Sequence, residues 1–444
     1  MRRTRKLLTQ LTKTLNNQMI QNFLVVGVIT VVIKGISFYK ETLVSAEFGL
    51  SELLDTFFIA ALIPSFIQNV FLVALKNLFI PNYIIEQKSP EGRIGAFQAF
   101  TLLTIVGISL VLTLCVYLFS IYGLEHLFPG HTERYYSLIR GQLYILLPCI
   151  TIWAVGNYFS GLLDIANKFF VSSISALFAP VMTIIFLFTL VDELGSYVLS
   201  LGLLCGSSSA LLLNLFCSLY FKLVKFAKIR FNDNMRMMLK QYPPKIISAF
   251  LTGVNPFVDQ FFAAQLIVGS IAAINYGVRI PNILVGILMI VLGKILLPFF
   301  SRQIGNNKEA AFQNLKFILK LVFGLSLFIS SIFMIFSEEI IRFVFERGEF
   351  DPNDTELVSS LQIIALLYSP FVLCTLICVQ FLTAFNKNKF MAWASLWNLV
   401  LNLILNYLFV KIYGVYGLVL STTIVCIINS FLYVTYTLRL RTSD

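Results

Sequence analysis

Long apolar segments constrain the fold of this 444-residue chain more than any other feature. A hydrocarbon core of ~30 Å needs about 20 helical residues to cross it. Six such segments precede a polar, basic stretch at 222–245, and six follow it. They lie at 21–39, 55–80, 97–122, 140–163, 168–191, 196–221, 246–269, 272–300, 313–336, 358–384, 389–410 and 413–436. The pattern predicts an all-α polytopic membrane protein with about twelve transmembrane helices.

The composition supports a membrane location and argues against a nucleic-acid partner. Hydrophobic residues make up 58% of the chain and charged residues 12%, whereas soluble proteins carry roughly 25% charged residues. The formal charge of +11 is concentrated in short loops between the apolar segments, where basic residues set topology. All seven cysteines fall inside apolar stretches, which predicts small core side chains and not disulfides or metal ligands.

The basic residues also predict an orientation. Lysines and arginines precede the first apolar segment and then follow every second one, including the stretch at 222–245. Because basic loops remain on the cytoplasmic side, both termini and this central stretch are predicted to be cytoplasmic. No cleavage site follows the first apolar segment, so no cleavable signal peptide is predicted.

The two groups of six segments read as copies of one unit. In the first group, Ile63-Pro64 is followed by Phe79-Ile80-Pro81. In the second group, Ile280-Pro281 is followed by Leu296-Leu297-Pro298 at the same spacing. Pro148 leads to Asn167-Lys168-Phe169 much as Pro370 leads to Asn388-Lys389-Phe390. Six is an even number, so both copies enter from the same side, as in parallel repeats of transporters. We therefore predict two pseudo-symmetric six-helix lobes around a central cleft. The N-terminal lobe comprises residues 1–221, the C-terminal lobe comprises residues 246–444, and residues 222–245 form a cytoplasmic linker between them.

Several ordered blocks resemble the MurJ (MviN) family of lipid II flippases. They are Lys34–Glu41 (KGISFYKE), Asp55–Ala60 (DTFFIA), Asn275–Arg279 (NYGVR) and Phe345–Phe350 (FERGEF). The resemblance covers essentially the whole chain. It implies the fold of the multidrug/oligosaccharidyl-lipid/polysaccharide exporter superfamily, in the bacterial inner membrane. It also implies a flippase that moves a polyprenyl-diphosphate-linked glycan, of lipid II type, from the cytoplasmic to the periplasmic leaflet by alternating access.

The sequence departs from the family pattern in ways that leave other substrates open. The family's two first-helix arginines correspond to Lys34 and Lys40, and a second-helix arginine corresponds to Gln68, while Arg279 is retained. Lysine keeps the charge but lacks the bidentate fork that suits a diphosphate. Many family members also have two further C-terminal helices. The alternatives are a flippase for an O-antigen, capsule or exopolysaccharide unit, and a multidrug exporter of the same superfamily, which would need acidic cavity residues.

Cations within the apolar segments are candidates for substrate binding. A cation at the bilayer centre costs about 2.5–3.5 kcal/mol, so it normally faces a cavity or a partner. Lys34, Lys40 and Arg279 are predicted to hold the anionic diphosphate head. Alternatively, they pair with acidic residues or reach the interface. Three residues are candidates for polar or gating groups of the cleft, namely Glu41, Asp55 and Gln68; Asp55 alternatively caps the second helix.

A second candidate site lies in the C-terminal lobe. Asp259 stands among apolar residues, Asn402 and Asn406 share a helix face by their i, i+4 spacing, and Thr422 lies one turn from Leu418. The set resembles the sodium site that MurJ-type proteins carry, which makes Na⁺ or H⁺ a candidate coupling ion and implies no other cofactor. The alternative is hydrogen bonding between helices, with Asp259 paired to Arg279.

The remaining motifs indicate that the chain is not an enzyme. No Walker, G-x-S-x-G or H-E-x-x-H motif occurs, and His126 and His131 lack metal-ligand spacing. A membrane glycosyltransferase would need acidic catalytic residues and a sizeable soluble loop, which the sequence lacks. A silent scaffold in cell-envelope assembly stays open. The expected partners are the lipid-diphosphate-linked glycan and membrane lipids, with other cell-envelope synthesis proteins as further candidates.

Overall fold

Helices form every regular element in residues 18–89 and 93–443, which are the residues that the computed structural model describes. The N-terminal basic residues before Gln18 lie outside this range. The helices are α1 Gln18–Phe48, α2 Glu52–Ile67, α3 Val73–Lys88, α4 Ile94–Tyr122, α5 Leu124–Leu127, α6 Glu133–Ile165, α7 Phe169–Ile174, α8 Phe178–Thr189, α9 Val191–Leu194, α10 Val198–Tyr220, α11 Asp233–Gly253, α12 Asn255–Ala263, α13 Ser270–Gly277, α14 Arg279–Asn306, α15 Lys308–Ile335, α16 Ser337–Phe345, α17 Pro352–Leu366, α18 Ser369–Ala384 and α19 Asn388–Ser443. A π-helical turn, Gln68–Leu72, joins α2 to α3.

The lengths of these helices confirm a multi-pass membrane protein. In the described part of the chain, nine helices are long and apolar enough to cross a membrane, and the pair α11–α12, bent by 48°, makes a tenth span. Gly414, with φ +56°, interrupts α19, so this one long helix supplies two spans and adds one to the count. With α1, which is 31 residues long, the count reaches the predicted twelve. The all-α prediction and the approximate helix number are therefore confirmed.

The spans differ in how much of their apolar surface other helices cover. Only 17% of the most apolar window is buried in Ile94–Tyr122, compared with 56% in Pro352–Ala384. A helix that is apolar all round and uncovered by protein faces lipid. Helix α4 is therefore a lipid-facing helix, whereas α17 and α18 are largely covered by other helices.

The ends of two helices have the same backbone geometry. Asn167 after α6 and Asn386 after α18 both adopt φ +57°. The next residue in each case donates a backbone hydrogen bond to the carbonyl oxygen five residues back, from Lys168 to Leu163 at 2.8 Å and from Lys387 to Leu382 at 3.0 Å. Asparagine tolerates this left-handed helix end better than most residues. By helix-end geometry Asn167 corresponds to Asn386 and not to Asn388, which begins α19; the internal repeat stays a prediction.

The chain divides into two compact units. The first comprises the residues up to Val44, Ala60–His126 and Thr132–Ala249. The second comprises Ser45–Ile59, Leu127–His131 and the chain from Phe250 onward. The stretch predicted as a linker thus packs in the first unit, and the turn between α1 and α2 packs in the second. The predicted lobe boundaries at 221 and 246 stay a prediction.

Candidate functional site

Asp259 is the centre of a hydrogen-bonded cluster in the second unit. Asn402 and Asn406 donate from their Nδ2 atoms to Asp259 Oδ1, at 3.1 and 2.8 Å. Thr422 Oγ1 lies within hydrogen-bonding distance of both Asp259 Oδ2, at 3.3 Å, and the Leu418 carbonyl oxygen, at 3.2 Å. The structure therefore brings together all five residues that were predicted to form a cation site.

The cluster has the oxygen atoms that a hard monovalent cation requires. It offers one carboxylate, a hydroxyl, a backbone carbonyl and two amide oxygens. Among the described residues, none donates a hydrogen bond to the buried Asn406 Oδ1. Turning the amides of Asn402 and Asn406 by half a turn would direct their oxygens to Asp259, an arrangement that a cation between them would stabilise. The residues therefore fit a cation, although in this structure the amides donate to the carboxylate instead.

A cavity beside the cluster provides room for an ion and its water. The cavity measures about 290 Å³ and is lined by Asp259, Thr422, Asn282 and Tyr368 among others, all in the second unit. Tyr368 donates to Asn282 Oδ1 at 2.8 Å, so its hydroxyl is already oriented. No group of three or more His, Cys, Asp or Glu side chains lies together within the described ranges. The chemistry at Asp259 is therefore that of a single-carboxylate site.

Asp55 caps a helix, but not the helix that contains it. The side chain is only 2% exposed. Its Oδ2 accepts from the Gly269 N–H at 2.7 Å and its Oδ1 from the Ala272 N–H at 2.8 Å, so it caps α13. At the start of α2, Ser51 Oγ accepts instead from the Leu54 N–H, at 3.4 Å. A carboxylate at a helix N-terminus satisfies free N–H groups and complements the helix dipole.

The end of α1 is held by the loop that contains Gly348 and Glu349, within the Phe345–Phe350 block (FERGEF). Glu349 donates its N–H to the Ala46 carbonyl oxygen at 2.9 Å. Gly348 has φ +57°, and a Cβ there would lie 2.1 Å from the Ala46 oxygen, so only glycine permits this approach. The rings of Phe345 and Phe350 pack against Tyr276, with centroids 5.1 and 5.9 Å away.

These contacts form one structural feature, which we call the turn clamp. Its members are Ala46, Asp55, Gly269, Ala272, Gly348 and Glu349, all in the second unit. Gly269 has φ +90°, and a Cβ there would lie 2.7 Å from the Leu50 carbonyl oxygen. The turn clamp therefore fixes the connection between α1 and α2 by close backbone contacts. A side chain at Gly269 or Gly348 would break these contacts.

The predicted substrate cations have different surroundings. Lys34 is exposed on α1, and among the described residues it has no ion-pair partner. Lys40 forms an ion pair with Glu41 at 2.7 Å, which is one of the alternatives that the sequence left open. Arg279 begins α14 and is half-buried. Lys34 and Lys40 belong to the first unit and Arg279 to the second, so a shared diphosphate site stays a prediction.

Gln68 lines a polar cavity of about 450 Å³ in the first unit. Lys76 lines the same cavity, donates to Ser160 Oγ at 2.9 Å and forms an ion pair with Asp164 at 2.9 Å. The sequence analysis did not predict this pair. A signal was available, because Lys76 stands within the apolar segment 55–80, Asp164 directly follows the segment 140–163, and a charge in the membrane requires a partner.

Comparison with known proteins shows one family across most of the chain. The family model described as "Lipid II flippase MurJ" matches residues 44–443. The probable lipid II flippase MurJ of Buchnera aphidicola subsp. Schizaphis graminum is 28% identical over 425 residues, covering 93% of this chain and 82% of the relative. That of Aquifex aeolicus is 28% identical over 339 residues, covering 75% of this chain and 66% of the relative.

Solved structures show the same fold. A structure of lipid II flippase MurJ in an inward closed conformation has a TM-score of 0.80 at 23% identity, covering 93% of this chain and 87% of that one. An inward-facing multidrug resistance MATE family transporter of the MOP superfamily has a TM-score of 0.70 at 13% identity, covering 93% and 94%. At these identities the likeness establishes the architecture alone.

Proposed function

Since the chain belongs to the lipid II flippase MurJ family, we propose that it translocates a polyprenyl-diphosphate-linked glycan of lipid II type across the bacterial inner membrane. Members of this family are transporters and not enzymes. The match of the family model to residues 44–443 carries the proposal. The proposed direction, from the cytoplasmic to the periplasmic leaflet, rests on the family resemblance. The distribution of basic loops predicts that both chain termini are cytoplasmic.

The diphosphate head is the part of such a substrate that most needs a protein partner in the membrane. It is anionic and rich in hydrogen-bond acceptors, so ammonium and guanidinium groups bind it well. Lys34 is exposed and has no ion-pair partner within residues 18–89 and 93–443, which supports a role for it, because an unpaired cation within a span is otherwise expensive. In our proposal Lys34 and Arg279 hold the head, and Lys40 contributes after it separates from Glu41.

Alternating access requires a contact that opens and closes, and the turn clamp has the properties of one. It joins the α1–α2 connection to α13 and the Gly348 loop through a few directional hydrogen bonds. Breaking such bonds frees the α1–α2 connection without disturbing an apolar core. We assign the turn clamp as the gate on the side of the membrane opposite to the basic loops.

The Asp259 cluster supplies the coupling in this scheme. Binding of Na⁺ at Asp259 would reorganise Asn402 and Asn406 on α19, because their amides must turn from donating to accepting. A proton on Asp259 is the alternative coupling ion. Thermal stabilisation of the purified protein by NaCl, compared with choline chloride, distinguishes the two. A sodium-specific effect that Asp259→Asn removes supports Na⁺, and an equal effect of both salts rejects it.

Complementation tests the transport function directly. The chain is expressed in a bacterium whose own lipid II flippase is depleted, and growth and lipid II accumulation in the inner leaflet are measured. We expect the wild type to restore growth, and Lys34→Gln and Arg279→Gln to fail. Lys411→Gln is the matched control, because it removes an exposed cation that stacks on Tyr407 and should restore growth fully.

The same experiment separates the alternatives. If the wild type is expressed and fails with lipid II, but restores surface O-antigen in a strain without its O-antigen flippase, the substrate is a different polyprenyl-diphosphate glycan. If it restores neither and instead lowers susceptibility to cationic drugs, the multidrug-exporter alternative replaces the proposal. Full growth with both cation variants would refute the assigned binding residues.

A further inference from the structure

The segment that follows α10 combines exposed cations with exposed large hydrophobic side chains. Between Lys225 and Phe231 the sequence reads KFAKIRF, outside any helix. Lys225, Lys228 and Arg230 are exposed. The hydrophobic members are exposed as well, with Phe226 at 55%, Ile229 at 38% and Phe231 at 54%. We call residues 225–231 the basic strip.

One end of the basic strip is fixed to the start of α4. Gln98 is buried; its Nε2 donates to the Leu223 carbonyl oxygen at 2.9 Å, and its Oε1 accepts the Lys225 N–H at 2.6 Å. A Cβ on Gly95 would lie 2.7 Å from the Lys225 carbonyl oxygen, so the backbones approach closely. A buried amide that satisfies an extended backbone in this way holds the segment in one position.

The other end is fixed by a buried carboxylate. Glu86 accepts from Asn232 Nδ2 at 2.9 Å, from Asn234 Nδ2 at 2.8 Å and from the Arg93 N–H at 2.9 Å. Glu86 is only 1% exposed, and charge-assisted hydrogen bonds of this kind are stronger than neutral ones. The basic strip is therefore an ordered surface between two anchors, and its exposed residues are presented in a fixed arrangement.

The depth of Phe231 places the basic strip at the membrane surface. Its ring packs edge-on against Phe100, with centroids 5.5 Å apart. Phe100 lies six residues into α4 from Ile94, or about 9 Å along the helix axis. Because α4 is a lipid-facing span, an exposed ring beside Phe100 lies where headgroups meet acyl chains.

We propose that the basic strip binds the headgroups of anionic phospholipids in the adjacent leaflet. Lysines and arginines next to a membrane-spanning helix attract anionic lipids, and interleaved aromatic and aliphatic side chains insert at the interface. A role in topology alone requires neither an ordered backbone nor exposed phenylalanines. A soluble acidic partner fits less well, since Phe231 lies beside a lipid-facing helix and would be covered by lipid.

Photocrosslinking of the full chain tests the proposal. Phe226→benzoylphenylalanine is introduced, and the protein is reconstituted in nanodiscs with equal amounts of phosphatidylglycerol and phosphatidylcholine. We expect crosslinks mainly to phosphatidylglycerol. The variant K225Q/K228Q/R230Q should lower the phosphatidylglycerol-to-phosphatidylcholine ratio at least about fivefold, the effect of one cation at a membrane surface.

Two controls make the result specific. The reporter Leu110→benzoylphenylalanine, at an exposed position within α4, should label both lipids equally. Neutralising three exposed cations elsewhere should leave the ratio at position 226 unchanged, and the charge-matched variant is R134Q/R347Q/K411Q. The proposal is overturned if the reporter at 226 labels neither lipid, labels both equally, or keeps its preference in K225Q/K228Q/R230Q.

Discussion

Replacing Asp55 by asparagine should weaken the turn clamp by a predictable amount. Both carboxylate oxygens accept a backbone N–H, from Gly269 at 2.7 Å and Ala272 at 2.8 Å. Asparagine retains one acceptor and turns an NH₂ group toward the other N–H, so one hydrogen bond to a charged group is lost. Such a bond contributes about 1.5–3 kcal/mol. The amide that loses its acceptor, Gly269 or Ala272, should therefore exchange about 10- to 150-fold faster, since about 1.4 kcal/mol is a factor of ten.

Hydrogen–deuterium exchange measures this change at the two amides. The matched control is Asp351→Asn, because Asp351 also caps a helix and accepts the Asp354 N–H at 2.8 Å. The control should change exchange near Asp354 and leave Gly269 and Ala272 unaffected. Equal exchange at Gly269 and Ala272 in wild type and Asp55→Asn would refute the assignment of Asp55 as the cap of α13.

Three further substitutions test other features of the structure. Gly348→Ala should destabilise the protein by about 3 kcal/mol, of which about 1 kcal/mol comes from its φ of +57° and about 2 kcal/mol from overlap with the Ala46 oxygen. The control Gly130→Ala, at φ +93° with open space around the position, should destabilise by only about 1 kcal/mol. Thermal melts measure both changes. Asp259→Asn should abolish any sodium dependence of transport in a liposome assay, and persistence of that dependence would reject the ion site. The Asp354 N–H holds the pKa of Asp351 below its ordinary value. The ionised carboxylate therefore stabilises the folded state at pH values above its unfolded-state pKa. This stabilisation is lost as the pH falls through the folded-state pKa. Asp351→Ala should therefore lower the melting temperature at neutral pH, and the difference from wild type should vanish in acid.

The sequence alone was sufficient for the membrane architecture because hydropathy over one span depends only on that span. The helix count required no knowledge of contacts, and the kink at Gly414 merely divides a segment that was already predicted as two. The shared face of Asn402 and Asn406 follows from helical spacing in the same way. Two predictions based on position in the chain alone differ from the structure. Spacing matched Asn167 with Asn388 instead of Asn386, and the place of Asp55 near the start of α2 suggested that it caps α2 instead of α13.

The tertiary structure decided which polar groups meet. Asp55 binds the N–H of Gly269, 214 residues away, and Glu86 binds Asn232, 146 residues away. Lys76 meets Asp164 on another helix. Local periodicity reports only neighbours within a turn or two, whereas a buried charge takes whichever partner the chain topology brings to it. The sequence therefore determined that these charges need partners, and the packing of distant helices determined which partners they have.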